Sequence, residues 1–178
     1  MNPITLGSLL LAGLTLSACA TNAVFPAEVM TRVDPTFDFS RWRMTPNQAE
    51  AKTIQLGGRI LSADSKGNRL TLVVAQLPIV EHPAYGPKDT GKRSGEFAIT
   101  YTGTINAAFL QPGNRVMVVG MTRAPILVSV DDLPKSLPTV SATCLHFWNT
   151  GGRDIADFPS FGAGYETLEE ETACINTP

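Results

Sequence analysis

The chain has 178 residues, 43% of them hydrophobic, and a formal charge of −2. Residues 1–123 carry 12 Lys/Arg against 8 Asp/Glu, whereas residues 124–178 carry 2 against 8. An acidic C-terminal part and scattered basic residues, without a dense basic stripe, exclude nucleic acid as a partner.

Residues 4–16 are uncharged and rich in Leu, Gly and Ala, the composition of a secretory signal core. The run is too short to span a bilayer, which takes roughly 20 apolar residues. It closes on Leu16-Ser17-Ala18-Cys19, where small residues let an extended backbone enter a peptidase cleft. This pattern resembles the lipobox of bacterial lipoproteins, in which the thiol receives a diacylglyceryl group and cleavage leaves the cysteine as the new N-terminus. One departure is that only the α-amino group of Met1 supplies positive charge before Ile4. The resemblance implies a signal peptide over residues 1–18, covalent lipid on Cys19 as the sole non-protein group, and a cell outer-membrane location held by that lipid. Each buried methylene adds about 0.8 kcal/mol, so several acyl chains hold firmly where one holds reversibly. Ala20, in place of the Asp that retains enteric-type lipoproteins in the inner membrane, permits passage to the outer membrane.

Removal of residues 1–18 leaves enough chain for one domain that buries about 70% of its unfolded surface. Residues 19–44 read as a tether interrupted by Pro26 and Pro35, with Phe25, Phe37, Phe39 and Trp42 suited to packing part of it on the body. Thr45-Pro46-Asn47-Gln48 has the chemistry of a helix start, and predicts a turn or two of helix through Ala51.

The body, residues 45–150, reads as strands. Residues 52–63 alternate through Ile54, Leu56 and Ile60, and Gly57-Gly58 predicts a bulge or bend. Residues 64–68 are turn chemistry, and a second strand over 69–77 makes a hairpin. Residues 81–95 read as a polar surface excursion. Strands are predicted over 96–104, 115–123 and 138–148, with a short one over 126–130. Residues 151–178 read as an irregular, acidic, Gly-containing tail, with one helical turn over 167–172. Five or six short strands with turn signals and glycine bends predict an all-β fold, a small OB-like β-barrel.

Once Cys19 is set aside, two cysteines remain. A Cys144–Cys174 bridge would close a loop of about 30 residues and stabilise the fold by roughly 3.5 kcal/mol in the chain-entropy model. The competing reading leaves a buried thiol at Cys144 and a loose one at Cys174.

Gly57-Gly58-Arg59-Ile60, Leu77-Pro78-Ile79, Ser94-Gly95-Glu96-Phe97-Ala98, Pro112-Gly113-Asn114-Arg115-Val116 with Val119-Gly120, and Leu145-His146-Phe147-Trp148 follow one another as they do in a known family. In these motifs, over about residues 54–148, and in its lipobox, the chain resembles the Slp family of outer-membrane lipoproteins, named for a starvation-inducible member. It departs from the family pattern at Ile105-Asn106-Ala107 and in its acidic tail with Cys174. The resemblance implies an envelope location and a link to stationary phase or starvation. It brings no catalytic residues with it.

No nucleophile elbow, phosphate-binding loop or recognisably spaced set of three or four metal ligands occurs, and His82 and His146 are the only histidines. Cys144 and His146 could offer two ligands from one face of a strand, with Cys174 a third, against the more ordinary reading of a disulfide and a half-exposed histidine. The expectation is therefore a non-catalytic protein with a structural or interaction role among envelope proteins. The alternative is a ligand-binding module for a glycan or small molecule, with Lys88, Lys92 and Arg93 as its anion contacts.

Overall fold

A computed structural model describes residues 24–46, 50–79, 86–89, 91, 94–130, 132–151 and 168–175. Six strands carry the fold: β1 (Thr53–Lys66), β2 (Arg69–Leu77), β3 (Glu96–Thr102), β4 (Arg115–Val130), β5 (Leu133–Asn149) and β6 (Glu169–Cys174). Two short helices, α1 (Ala27–Met30) and α2 (Phe39–Met44), precede them, and a 3-10 turn (Ala107–Leu110) separates β3 from β4.

The strands are hydrogen-bonded in the order β3-β2-β1-β4-β5-β6, and β3 also pairs parallel with β5 through Ala98↔Thr139, Ile99↔Val140 and Thr100↔Ser141. That last pairing closes β1-β2-β3-β5-β4 into a ring, the small OB-like barrel expected of an all-β chain that removes its sheet edges. The β1–β2 connection is tighter than the turn chemistry suggests. Lys66 pairs with Arg69, leaving only Gly67 and Asn68 in the loop, with Gly67 at φ 64°.

One face of each strand fills the barrel. Ile54, Leu56 and Ile60 of β1 meet Leu70, Leu72 and Val74 of β2, Phe97 and Ile99 of β3, Val116 and Val118 of β4, and Leu145 and Phe147 of β5. At the end where β3 begins, α2 inserts Phe39 and Trp42, and Phe39 lies 5.8 Å edge-on from Phe97. At the end where β4 begins, Phe109 of the 3-10 turn meets Phe147 at 6.3 Å. Beside it Asn114 is fully buried: its Nδ2 donates to the Ala108 carbonyl at 2.9 Å, and its Oδ1 accepts from the Thr150 N–H at 2.9 Å.

Four expectations are corrected. The helix start placed at Thr45 is a helix end: α2 begins after Asp38, whose carboxylate accepts from the Arg41 N–H, and Thr45 is its C-cap. Gly57 and Gly58 stay in register with both neighbouring strands, and the bulge falls between Ile60 and Ser62. The glycines serve close approach instead. A Cβ on Gly58 would lie 2.3 Å from the Ala75 carbonyl oxygen and 2.3 Å from Val74 Cγ1. The strands over 115–123 and 126–130 are one strand, β4, which passes Pro125 at a register shift between Arg123 and Ile126. The turn read as helical over 167–172 gives way to β6, which extends the sheet from β5 with Cys144 opposite Cys174.

Candidate functional site

A second bulge decides what lies outside the barrel. Val119 pairs with Cys144 and Gly120 with Ala142, so Thr143 is the extra residue in β5. Before it Val140 and Ala142 face inward; after it Leu145 and Phe147 do. The inversion turns Cys144, His146 and Trp148 outward, and there they form a separate apolar cluster with Met117, Val119 and Phe25.

Phe25 belongs to the segment read as a tether. It is 3% exposed and lies 6.4 Å edge-on from His146, with Val24, Val29, Met30 and Val33 packed around the same cluster. Past α1 the arm is fixed again, where the Asp34 N–H donates to the Thr53 carbonyl at 2.8 Å. The Asp34 carboxylate pairs with Lys52 and accepts from Thr36, contacts that hold its pKa down to about 2. The chain is thus attached to the barrel from Val24 onward.

Cys144 and Cys174 are joined by a disulfide across β5 and β6. With both sulfurs bonded to one another, His146 has no thiolate beside it, and among the described residues no three metal-ligating side chains cluster. His146 is 4% exposed, and burial lowers its pKa to about 4, so the ring is neutral at pH 7. Its Nδ1 is 2.6 Å from Thr172 Oγ1, and its Nε2 is 3.4 Å from Glu170 Oε2. A carboxylate facing Nε2 favours the tautomer with hydrogen there, which leaves Nδ1 to accept from the Thr172 hydroxyl. Burial raises the pKa of Glu170, and a hydrogen bond from Trp148 opposes that rise. A neutral, fixed imidazole with its ring packed 4.2 Å from Trp148 binds β6 to β5.

The far end of the β4–β5 hairpin folds across the outer face of β2 and β3. Val73 and Ala98 are buried there with Leu137, and Leu61, Ile126, Val128 and Val130 pack around them. Lys135 reaches Glu96 at 2.6 Å. In an OB-like barrel this β2–β3 face is the usual binding surface. A cavity of about 400 Å³ remains beside the hairpin, lined by Leu61, Ala75, Glu96, Val130 and Lys135 among others.

Of the candidate anion contacts, Lys88 donates its N–H to the Pro78 carbonyl next to the Ile79↔Pro87 bridge. Lys92 and Arg93 lie outside the described residues, as do His82 and Cys19. A feature that the sequence does not announce is a groove of about 720 Å³ between α1 and strands β4, β5 and β6. Val29, Val119, Met121 and Ile175 line it together with Arg32 and Arg123. The one hint in the sequence is Met121 and Arg123, both exposed on β4 on either side of buried Thr122.

A model of the outer membrane lipoprotein Slp family matches residues 16–165, which span the lipobox and the whole β1–β5 ring. The chain belongs to the Slp family. Comparison with curated proteins gives no match, and comparison with solved structures gives none. Slp membership makes this an outer-membrane lipoprotein by family, and the described part of the N-terminal arm lines the groove from Pro26.

Proposed function

We propose that this Slp protein is a non-catalytic, lipid-anchored component of the envelope, held to the outer membrane through acylated Cys19, with a structural or interaction role suited to starvation or stationary phase. The observation that carries this reading is the hairpin over the β2–β3 face. Val73, Ala98 and Leu137 are buried under it and the Glu96–Lys135 pair fastens it, so the surface by which such barrels take up oligomers is used for the chain's own packing. Among the described residues no convergent set of nucleophile, base and oxyanion donors is found.

A second reading, binding of a glycan or small molecule, has in its favour the cavity of about 400 Å³ beside Glu96 and Lys135. Calorimetric titration of the full-length membrane-extracted protein with peptidoglycan and lipopolysaccharide sugar fragments separates the two. The interaction role predicts no saturable heat. Saturable binding that disappears in Lys135→Ala or Lys88→Ala, with the fold intact, would replace it with the ligand-binding reading.

A further inference from the structure

We infer that the groove between α1 and strands β4–β6 is a membrane-docking surface, which takes the phosphate headgroups and upper acyl region of the bilayer that holds the anchor. The inference rests on lipidation at Cys19 as proposed above. It follows from chain length, charge and surface chemistry taken together.

Chain length comes first. From Cys19 to Val24 there are five residues, which span at most about 18 Å fully extended. From Val24 on, the arm is packed on the barrel, with Phe25 buried. An acylated Cys19 therefore keeps the arm-bearing face within about 18 Å of the bilayer, whereas a free 25-residue coil would allow roughly 25–30 Å of separation and any orientation. The β1–β2 turn lies at the opposite end of β1 from Thr53, which itself lines the groove; β1 has 14 residues and a length of about 46 Å. The tether is short against that dimension, so the groove end faces the membrane and the turn points away.

The surface at that end suits the neighbour it is given. Met121 is 37% exposed and Ile175 40%, less than Met44, Leu127 and Leu133, but these two line the groove together with Val29. Arg32 and Arg123 stand at the same groove, both exposed, and neither forms an ion pair with a described residue. Among the described residues, Glu28 is the one acidic residue that lines it. Two guanidiniums against one carboxylate, set beside apolar side chains, match a phosphate layer over hydrocarbon. Arginine also pairs bidentately with phosphate oxygens.

The test uses the full-length lipidated chain reconstituted in vesicles of phosphatidylcholine with phosphatidylglycerol. Met121→Cys supplies a free thiol for a fluorescent label, Ile175→Cys a second groove position, and Ser65→Cys a control at the β1–β2 turn. Lipids brominated along the acyl chain should quench both groove labels and leave the turn label bright. Arg32→Gln and Arg123→Gln should each weaken the docking equilibrium about fivefold, and replacement of phosphatidylglycerol by phosphatidylcholine, which removes the attraction for both, about 25-fold. Groove labels that stay unquenched on a chain of confirmed lipid mass overturn the docking surface alone, whether the groove is open or covered by the chain's own ends. Quenching that is indifferent to both arginines overturns the headgroup contacts. A chain without lipid mass overturns the anchor, and this inference with it.

Discussion

Protonation of His146 gives the fold a measurable pH dependence. Burial under Phe25 and beside Trp148 lowers its pKa from the ordinary 6.5 to about 4. In the unfolded chain the ring takes a proton below about pH 6.5; in the folded one it does so only near 4. Between those values the unfolded state binds more protons, so stability falls as the pH falls through that window and levels off below it. At about 1.36 kcal/mol per unit, a depression of some 2.5 units corresponds to about 3 kcal/mol, of which about 2 kcal/mol is gone by pH 5. Glu170 works in the opposite sense inside the same window, because its folded pKa is raised above the ordinary 4.5 and the fold gains from its neutral form as the pH falls. The difference between wild type and a His146 variant isolates the histidine. The assay is urea unfolding at pH 7.0 and pH 5.0 for the wild type and for His146→Gln, with the disulfide intact. The wild-type midpoint should drop by about 1 M more than that of the variant, for a denaturant slope of about 2 kcal/mol per molar. Equal drops, or an NMR titration of the His146 ring near 6.5, would refute the reasoning.

Other substitutions probe the elements that position this cluster. Cys174→Ser should cost roughly 3.5 kcal/mol from the loop it opens and free β6 from β5, visible as faster amide exchange over Glu169–Cys174 than elsewhere in the sheet. Gly58→Ala should lower the melting temperature by several degrees, because its methyl meets the Ala75 carbonyl and Val74 at 2.3 Å; an unchanged melt would mean that β2 yields freely. Asn114→Ala removes the side-chain hydrogen bonds to the Ala108 carbonyl and from the Thr150 N–H in a buried site, at a cost of about 2–4 kcal/mol in chemical denaturation.

Local chemistry made part of this fold legible. Gly67-Asn68 between two alternating runs gave the first hairpin, and Pro112-Gly113-Asn114 gave the start of β4. Faces were harder to read. The extra residue at Thr143 inverts which side chains of β5 enter the barrel, so Trp148 joins the second core cluster, under Phe25, rather than the barrel interior. A period-2 pattern carries no mark of such an inversion, since Val140 and Leu145 are both apolar. β6 was hidden for another reason: Glu169-Glu170-Glu171 has fair helix propensity, and only pairing with β5 and the Cys144 partner makes it a strand. The groove was hidden because its walls come from residues 26–32, 119–123, 141–143 and 174–175, segments that no local pattern connects.

The anchor carries the account, and intact mass with membrane fractionation tests it most directly, on the native protein beside a Cys19→Ala variant. The account predicts a native chain that begins at Cys19, carries lipid mass and sediments with outer-membrane fractions, while the variant stays unprocessed. A native chain that is soluble and free of lipid would contradict it.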